Sequence, residues 1–215
     1  MADPPEAARS AVDALRAALR GRILNADLPP GQRLVEREIV EAHGAARVTV
    51  RAALRALAAE GLVAVEPNRG ARVAELGSEQ LRGLFELRTA LEVEAVRMAL
   101  ERHGGKVAQE VRDAVARLSA VARVPAPEWA QVADAHEEVH GALVASSGSA
   151  RLRSAHRALA GELRLFMVAL RGEWSAERTA AHHEALVEEL EAEGIAALRR
   201  HLRDGEEAVR SGLHR

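Results

Sequence analysis

A chain of 215 residues with 48% hydrophobic side chains has the material for one or two compact domains with real cores. Aromatics supply only 2% and tyrosine is absent, so alanine, leucine and valine must fill those cores, which favours helix packing over a β-sandwich. Cysteine is absent, which excludes disulfides, thiolate metal sites and cysteine nucleophiles, and a net charge of −2 gives no global nucleic-acid signal. The N-terminus carries Arg9, Arg16, Arg20 and Arg22 without an apolar stretch of signal-peptide length. No run approaches the ~18 apolar residues of a membrane helix, so a cytoplasmic protein with no membrane partner is expected.

Residues 1–9 are expected to form a flexible arm. A helix runs from about Ser10 to Leu24, with Val12, Leu15, Leu19 and Ile23 at helical spacing on one side. LPPG at 28–31 is a turn, because two prolines and a glycine cannot continue the helix. EREIVEAH at 36–43 is a short helix, stopped by Gly44, which tolerates the left-handed region. RVTVRAALRALAAEG at 47–61 is a second helix with Val50, Leu54 and Leu57 facing inward. LVAVEP and ARVAEL are short β-like runs around Asn68-Arg69-Gly70, a hairpin in which Gly70 is available for positive φ. Residues 10–75 therefore predict a winged helix-turn-helix. LGSE at 76–79 is a linker with Ser78 as N-cap. Residues 80–215 predict a helical domain, with six helices near 79–102, 106–122, 128–146, 150–171, 175–192 and 195–210. The fold class is mainly α: an N-terminal winged helix-turn-helix and a C-terminal, all-helical, six-helix antiparallel bundle.

Charge is distributed less evenly than its sum suggests. Between Glu41 and Glu60 the only formal charges are Arg47, Arg51 and Arg55, four apart on one predicted helix. Such a run is either a solvated helix face or a nucleic-acid footprint. In a helix-turn-helix the second helix enters the major groove, and here it begins RVTVR. Arg47 and Arg51 lie away from the apolar side and can grip guanine O6 and N7, worth about 1–3 kcal/mol per good contact. Thr49 can bond a phosphate or touch a thymine methyl, and Arg37 can reach the DNA backbone. Arg69 at the wing tip can enter a narrow minor groove.

The segment PPGQRLVEREIVEAHGAARVTVRAALRALAAEGLVAVEPNRGARVAEL resembles the winged helix-turn-helix of the GntR family of bacterial transcription regulators. That family's signature is PG-x-x-L-x-E, a helix, G-x-S-R-T-P-V-R-x-A-L-x-x-L-x-x-E-G-L-V, then x-N-R-G. The resemblance implies DNA contacts by Arg37, Arg47 and Arg51 and wing contacts by Asn68, Arg69 and Gly70. Two departures matter: Ala46 replaces the usual Ser, and Val48-Thr49 replaces Thr-Pro. Loss of the Ser hydroxyl removes a phosphate contact or a helix cap.

In the helical half, the stripe Leu81, Leu84, Arg88, Leu91, Ala95, Met98 sets an arginine among apolar neighbours. A buried arginine needs an anion. It is either an ion pair, with Glu92 one turn on or with an acid of another helix, or a bidentate clamp for a carboxylate or phosphate ligand. DAHEEVH at 134–140 puts His136 and His140 four apart, on the same side of a helix. His183 shares an inward face with Leu186, Val187 and Leu190, and His201 follows Leu198 by three in the last helix. These four are either satisfied core residues or a metal site built across three helices. His156 lies on an apolar stripe without an evident partner. His182 points about a hundred degrees away from His183. His43 and His103 sit by glycine breaks as loop or cap residues.

Residues from about 80 to 205 resemble the all-helical FCD effector domain of the FadR subfamily. ELRTALEVEAVRMA resembles its first helix, with the characteristic arginine at Arg88. VHGALVASSGS resembles F-H-x-x-L-x-x-x-S-G-N, and HHEALVEELEAEGIAALRRHL resembles E-H-x-x-I-x-x-A-x-x-G-D ending in H-L. In metal-binding members an Asp four before the first His and three His supply the ligands. Carried over, the histidines are His140, His183 and His201, and His136 stands in the Asp position; Asp134 lies on a different helical face. An all-histidine site implies a divalent metal, Zn or Ni rather than Mn, or else histidines that hold an anion directly. The resulting expectation is a ligand-responsive transcriptional regulator that is not an enzyme. It would bind a pseudo-palindromic operator in double-stranded DNA as a homodimer, released by a small carboxylate effector clamped by Arg88 beside the metal. Two alternatives stay open: a DNA-binding dimer without small-molecule effector, and a metal-dependent hydrolase in which Glu137 or Glu184 flanks the ligands.

Overall fold

A computed structural model describes residues 6–66 and 70–213 of the chain. The chain divides into two compact units, Met1–Glu75 and Leu76–Arg215. No helix among the described residues is long and apolar enough to cross a membrane.

In the first unit α1 spans Glu6–Leu24, α2 Glu36–His43 and α3 Arg47–Ala59. Part of the arm expected over 1–9 is therefore helical, because the good helix formers Glu6, Ala7, Ala8 and Arg9 extend α1. Leu15, Leu19 and Ile23 of α1 are buried, as are Val50, Ala53, Leu54 and Leu57 of α3. Arg16 Nη1 donates to Glu60 Oε1 at 2.7 Å. Gly44 closes α2 in the left-handed region, at φ 60°. That sharp stop leaves only Gly44, Ala45 and Ala46 between the two helices of the motif.

The wing is a three-stranded sheet in the order β1-β3-β2, where β1 is Arg33–Leu34, β2 Val63–Glu66 and β3 Gly70–Val73. β2 and β3 are antiparallel, with Val63 opposite Val73 and Glu66 opposite Gly70. The sequence suggested two strands only. The third, β1, has two residues, too few to show alternation, and it pairs through Arg33–Arg72 and Leu34–Ala71.

The second unit contains seven helices among the described residues: α4 (Ser78–Arg102), α5 (Gln109–Ala122), α6 (Trp129–Ser146), α7 (Ala150–Arg157), α8 (Ala160–Leu170), α9 (Ala176–Glu193) and α10 (Ile195–Leu213). The helix expected over 150–171 is divided at Ala158-Leu159. Neither glycine nor proline marks the division. The backbone instead tightens, with Ala158 N–H bonding Ala155 O and Leu159 N–H bonding His156 O. Ser78 is the first residue of α4, not its cap. Gly77 holds the N-cap position, and its N–H donates to Gln80 Oε1 at 2.9 Å. α6 is buried on a wide face that includes Trp129, Val132, His136, Val139, His140 and Leu143. Its first turn is fixed by Trp129 Nε1, which donates to Met167 O of α8 at 2.7 Å.

Candidate functional site

Arg37, Arg47, Arg51 and Arg55 are all exposed on the winged unit. Arg37 Nε lies 3.8 Å from Glu41 one turn on. Arg51 Nε donates to both oxygens of Glu36, at 3.0 and 2.9 Å, which ties the recognition helix to the start of α2. Arg47 opens α3, and Thr49 beside it is half-buried. Between them Val48 is 75% exposed, an apolar side chain left in the open on the first turn. Ala46 holds the N-cap position without a side-chain cap, so the first N–H groups of α3 receive no side-chain acceptor from it. Gly70 begins β3 at φ 84°. Asn68 and Arg69 lie outside the described residues.

The helical unit holds an unusual concentration of buried polar groups. Arg88, Glu92, His136, His140, His156, His183 and His201 are all at most 7% exposed. Glu92 is their hub. Its Oε1 accepts from Arg88 Nε at 2.6 Å and from His156 Nε2 at 3.2 Å, and its Oε2 accepts from His140 Nδ1 at 2.8 Å. Burial alone would raise the Glu92 carboxyl, but Arg88 and then His140 and His156 carry it well below its ordinary range. Arg88 thus makes the ion pair with Glu92. Its guanidinium also lies 5.3 Å from the Phe85 ring centroid and 5.9 Å from that of Phe166. Its Nη2 remains buried without a hydrogen-bond partner.

Of the four histidines singled out from the sequence, His136, His140 and His183 come together. Their potential ligand nitrogens all lie within 4.8 Å of one another. His201 joins through His183, with ring centroids 4.5 Å apart, and lies 5.5 Å from His140. It belongs to a second group of three, His182, His183 and His201. Asp134 is in neither group.

The hydrogen bonds fix the tautomers. His183 Nδ1 faces Thr179 O at 2.7 Å, and a carbonyl can only accept, so Nδ1 carries the proton. His140 Nδ1 faces ionised Glu92, so it also carries the proton. Both rings therefore turn an unprotonated Nε2 inward, and these two atoms are 3.1 Å apart. Two lone pairs at that distance repel unless a cation stands between them. A proton is disfavoured there. Burial, then Arg88, pushes His140 down to about 4. Burial, then His140, pushes His183 well below its usual value. Burial likewise lowers His136 and His201, reinforced by neighbouring histidines. Neutral imidazoles are the form that binds metals. Two nitrogens on one tetrahedral Zn²⁺ stand about 3.3 Å apart, given Zn–N bonds near 2.05 Å. The site fits a divalent cation, and the carboxylate–histidine bond from Glu92 is the outer support that such ligands normally have. His201 Nδ1, buried and unpartnered, is a further open donor atom.

Three contributors escaped the sequence reading. Glu92 entered only as a partner for Arg88, whereas it holds three groups at once. His156 has a partner after all, because α7 packs against α4 and sets its Nε2 3.2 Å from Glu92 Oε1. His182, a hundred degrees from His183, stacks on His201 with ring centroids 4.2 Å apart and planes at 14°. The doubled histidine of HHEALVEEL was its only signal. The carboxylates suggested for hydrolysis are engaged elsewhere: Glu137 with Arg164 at 3.0 Å, and Glu184 with Ser119 Oγ at 2.5 Å.

Comparison with known proteins matches residues 11–73 to the family of bacterial regulatory proteins, gntR family, and residues 83–212 to the FCD domain. The HTH-type transcriptional regulator BphR of Paraburkholderia xenovorans (strain LB400) is 30% identical over 66% of this chain and 60% of its own length. The protein assigned as the D-xylose utilization operon transcriptional repressor of Paenarthrobacter nicotinovorans is 31% identical over 77% of this chain and 72% of its own. The chain thus spans about three fifths of the first of these relatives. A crystal structure from Rhodococcus sp. RHA1, assigned as a GntR regulator, superposes with a TM-score of 0.72 at 25% identity, covering 94% of this chain and 98% of that one.

Proposed function

The chain belongs to the GntR family of bacterial regulatory proteins, DNA-binding transcriptional regulators rather than enzymes, and its second unit is an FCD domain; from that premise we propose that it is a metal-dependent, carboxylate-responsive repressor of the FadR type. It acts in the cytoplasm as a homodimer on a pseudo-palindromic operator. One recognition helix enters each half-site, with Arg47 and Arg51 on base edges, Thr49 and Arg37 on the backbone, and Asn68, Arg69 and Gly70 on the wing side. Exposed, lightly engaged arginines on α3 support this assignment.

The observation that carries the ligand reading is the pair of facing, unprotonated Nε2 atoms of His140 and His183 beside Arg88, whose Nη2 is buried and unpartnered. His136, His140 and His183 hold the cation, and His201 stands next to them through its contact with His183. Neutral nitrogen donors favour Zn²⁺ or Ni²⁺. When bound, the metal supplies open coordination positions for carboxylate oxygens. Arg88 orients the same carboxylate through its free nitrogen, while Glu92 fixes Arg88 and the His140 tautomer together. Phe85 and Phe166 pack against the guanidinium and keep the region dry. The effector lowers operator affinity by favouring one arrangement of the two DNA-binding heads over another.

The test combines elemental analysis with operator binding, after selecting the operator from random duplexes. About one Zn or Ni per chain, and a small carboxylate that changes operator affinity within the roughly 5- to 150-fold range of allosteric coupling, is the expected result. A second reading is favoured by the internal satisfaction of Glu92: the cluster is structural and the protein is a DNA-binding dimer without effector. Absence of retained metal, with no carboxylate affecting operator affinity, would establish that alternative.

A further inference from the structure

The histidines do not end at the inner site. Five imidazoles, those of His136, His140, His183, His201 and His182, form a continuous series of ring contacts. The series runs from the buried core to a cleft of about 580 Å³ beside α9 and α10, lined by Trp174, Arg178, His182, Asp204 and Glu207 among others. His182 is the member that meets this cleft, with 23% of its side chain exposed and Nε2 at 3.5 Å from Asp204 Oδ2. His201, directly beneath it, is only 7% exposed and has an unpartnered Nδ1.

We propose that His182, His201 and His183 form an outer station where a divalent cation binds first, on its way between the cleft and the inner histidines. The proposal rests on the reading of His136, His140 and His183 as a metal site. Two features of the geometry make the outer group a station and not a second permanent site. His183 spends Nδ1 on Thr179 and so has one lone pair, which can serve one ion at a time. The two groups share His183, so they do not both hold an ion at once, and a cation bound at the outer group stands next to the inner one. The rings of His182 and His201 are also nearly parallel, and in-plane lone pairs of stacked rings do not converge as a tight tetrahedral site requires. The outer group therefore binds weakly and releases quickly.

The cleft favours cations. Glu173, Asp204 and Glu207 line it with one lining arginine, and Glu207 lies 3.9 Å from Arg210 as well. The lining arginine, Arg178, lies over the Trp174 ring at 4.7 Å. Such an arrangement raises the local concentration of a cation and its rate of entry.

The test uses the full chain stripped of metal and mixed with Zn²⁺ held by a chromophoric chelator, reading both the rate of uptake and the final stoichiometry. His182→Ala is expected to reach the wild-type stoichiometry of one ion, with uptake slowed on the order of tenfold or more. Asp204→Asn is expected to slow uptake by about two- to threefold at low salt, with the difference vanishing at high salt. Should His182→Ala fail to fold, His182→Gln removes the ligand and keeps a polar side chain. Unchanged uptake in the His182 variant overturns the station. Loss of the ion at equilibrium in that variant also overturns it, making His182 a permanent ligand. No uptake by the wild type instead overturns the inner metal site itself, a result separate from the other two.

Discussion

On the winged unit Arg47 and Arg51 stand in water, with Arg51 56% exposed and leaning on Glu36. In the helical unit Arg88 is 2% exposed and enclosed by Glu92, Phe85 and Phe166. The same guanidinium is thus held under opposite conditions. An exposed arginine contributes little to folding and is free to trade its partner for a phosphate or a base. A buried one must be neutralised wherever it goes, so its partners are part of the fold. The first unit can change its exposed arginines at almost no structural cost, whereas the second has its buried arginine tied to stability.

Four substitutions test that contrast. The largest effect is expected from His140→Ala, which removes an inner nitrogen and the anchor of Glu92. Retained metal should be lost by elemental analysis, and the response to carboxylate with it, while operator binding by the unliganded protein survives. Normal metal content in that variant would exclude His140 as a ligand. Next comes Arg88→Leu. It leaves Glu92 buried against histidines alone, and denaturant unfolding should show a loss of about 3–5 kcal/mol. A loss below about 1 kcal/mol would mean the pair is not the structural tie described here. Arg51→Ala should change unfolding by less than about 0.5 kcal/mol. Its operator preference should nevertheless fall by about 1–3 kcal/mol in a competition assay; an unchanged footprint would move base reading to another element. The smallest effect is expected from Ala46→Ser, which restores an N-cap hydroxyl to α3. It should raise stability by about 1 kcal/mol, and no change in the unfolding midpoint would show that the first turn is satisfied in another way.

The winged unit was legible because its information is local. Gly44, the RVTVR start and Gly70 at the head of β3 each act within a few residues, and apolar spacing alone placed Val50, Leu54 and Leu57 in the core. What escaped was β1, whose pairing with β3 depends on residues some forty positions away. In the helical unit the helices were mostly legible, but the division at Ala158-Leu159 was not. It arises from the i→i−3 bonding of the backbone there and leaves no breaker in the sequence. The buried cluster was half legible. Spacing on α6 identified His136 and His140, and the inward face of α9 identified His183. The role of Glu92 required three helices to meet, as did the split of the histidines into two groups sharing His183. Helical periodicity says which way a side chain points, not what stands opposite.

Glu92 has a consequence for the order in which the interior can be filled. With its imidazoles neutral, the cluster carries one positive group, Arg88, and one negative group, Glu92, so it is electrically balanced as it stands. A divalent cation added alone leaves two uncompensated positive charges in a medium of low dielectric constant. An anion added alone leaves a negative excess. The two are each other's counterion, so whichever arrives first raises affinity for the second, and the second returns the same factor. On the proposed metal and carboxylate reading, sensing would then be a matter of salt: cation and anion would enter as a pair, and a doubly charged anion would restore the neutrality that Glu92 and Arg88 already maintain.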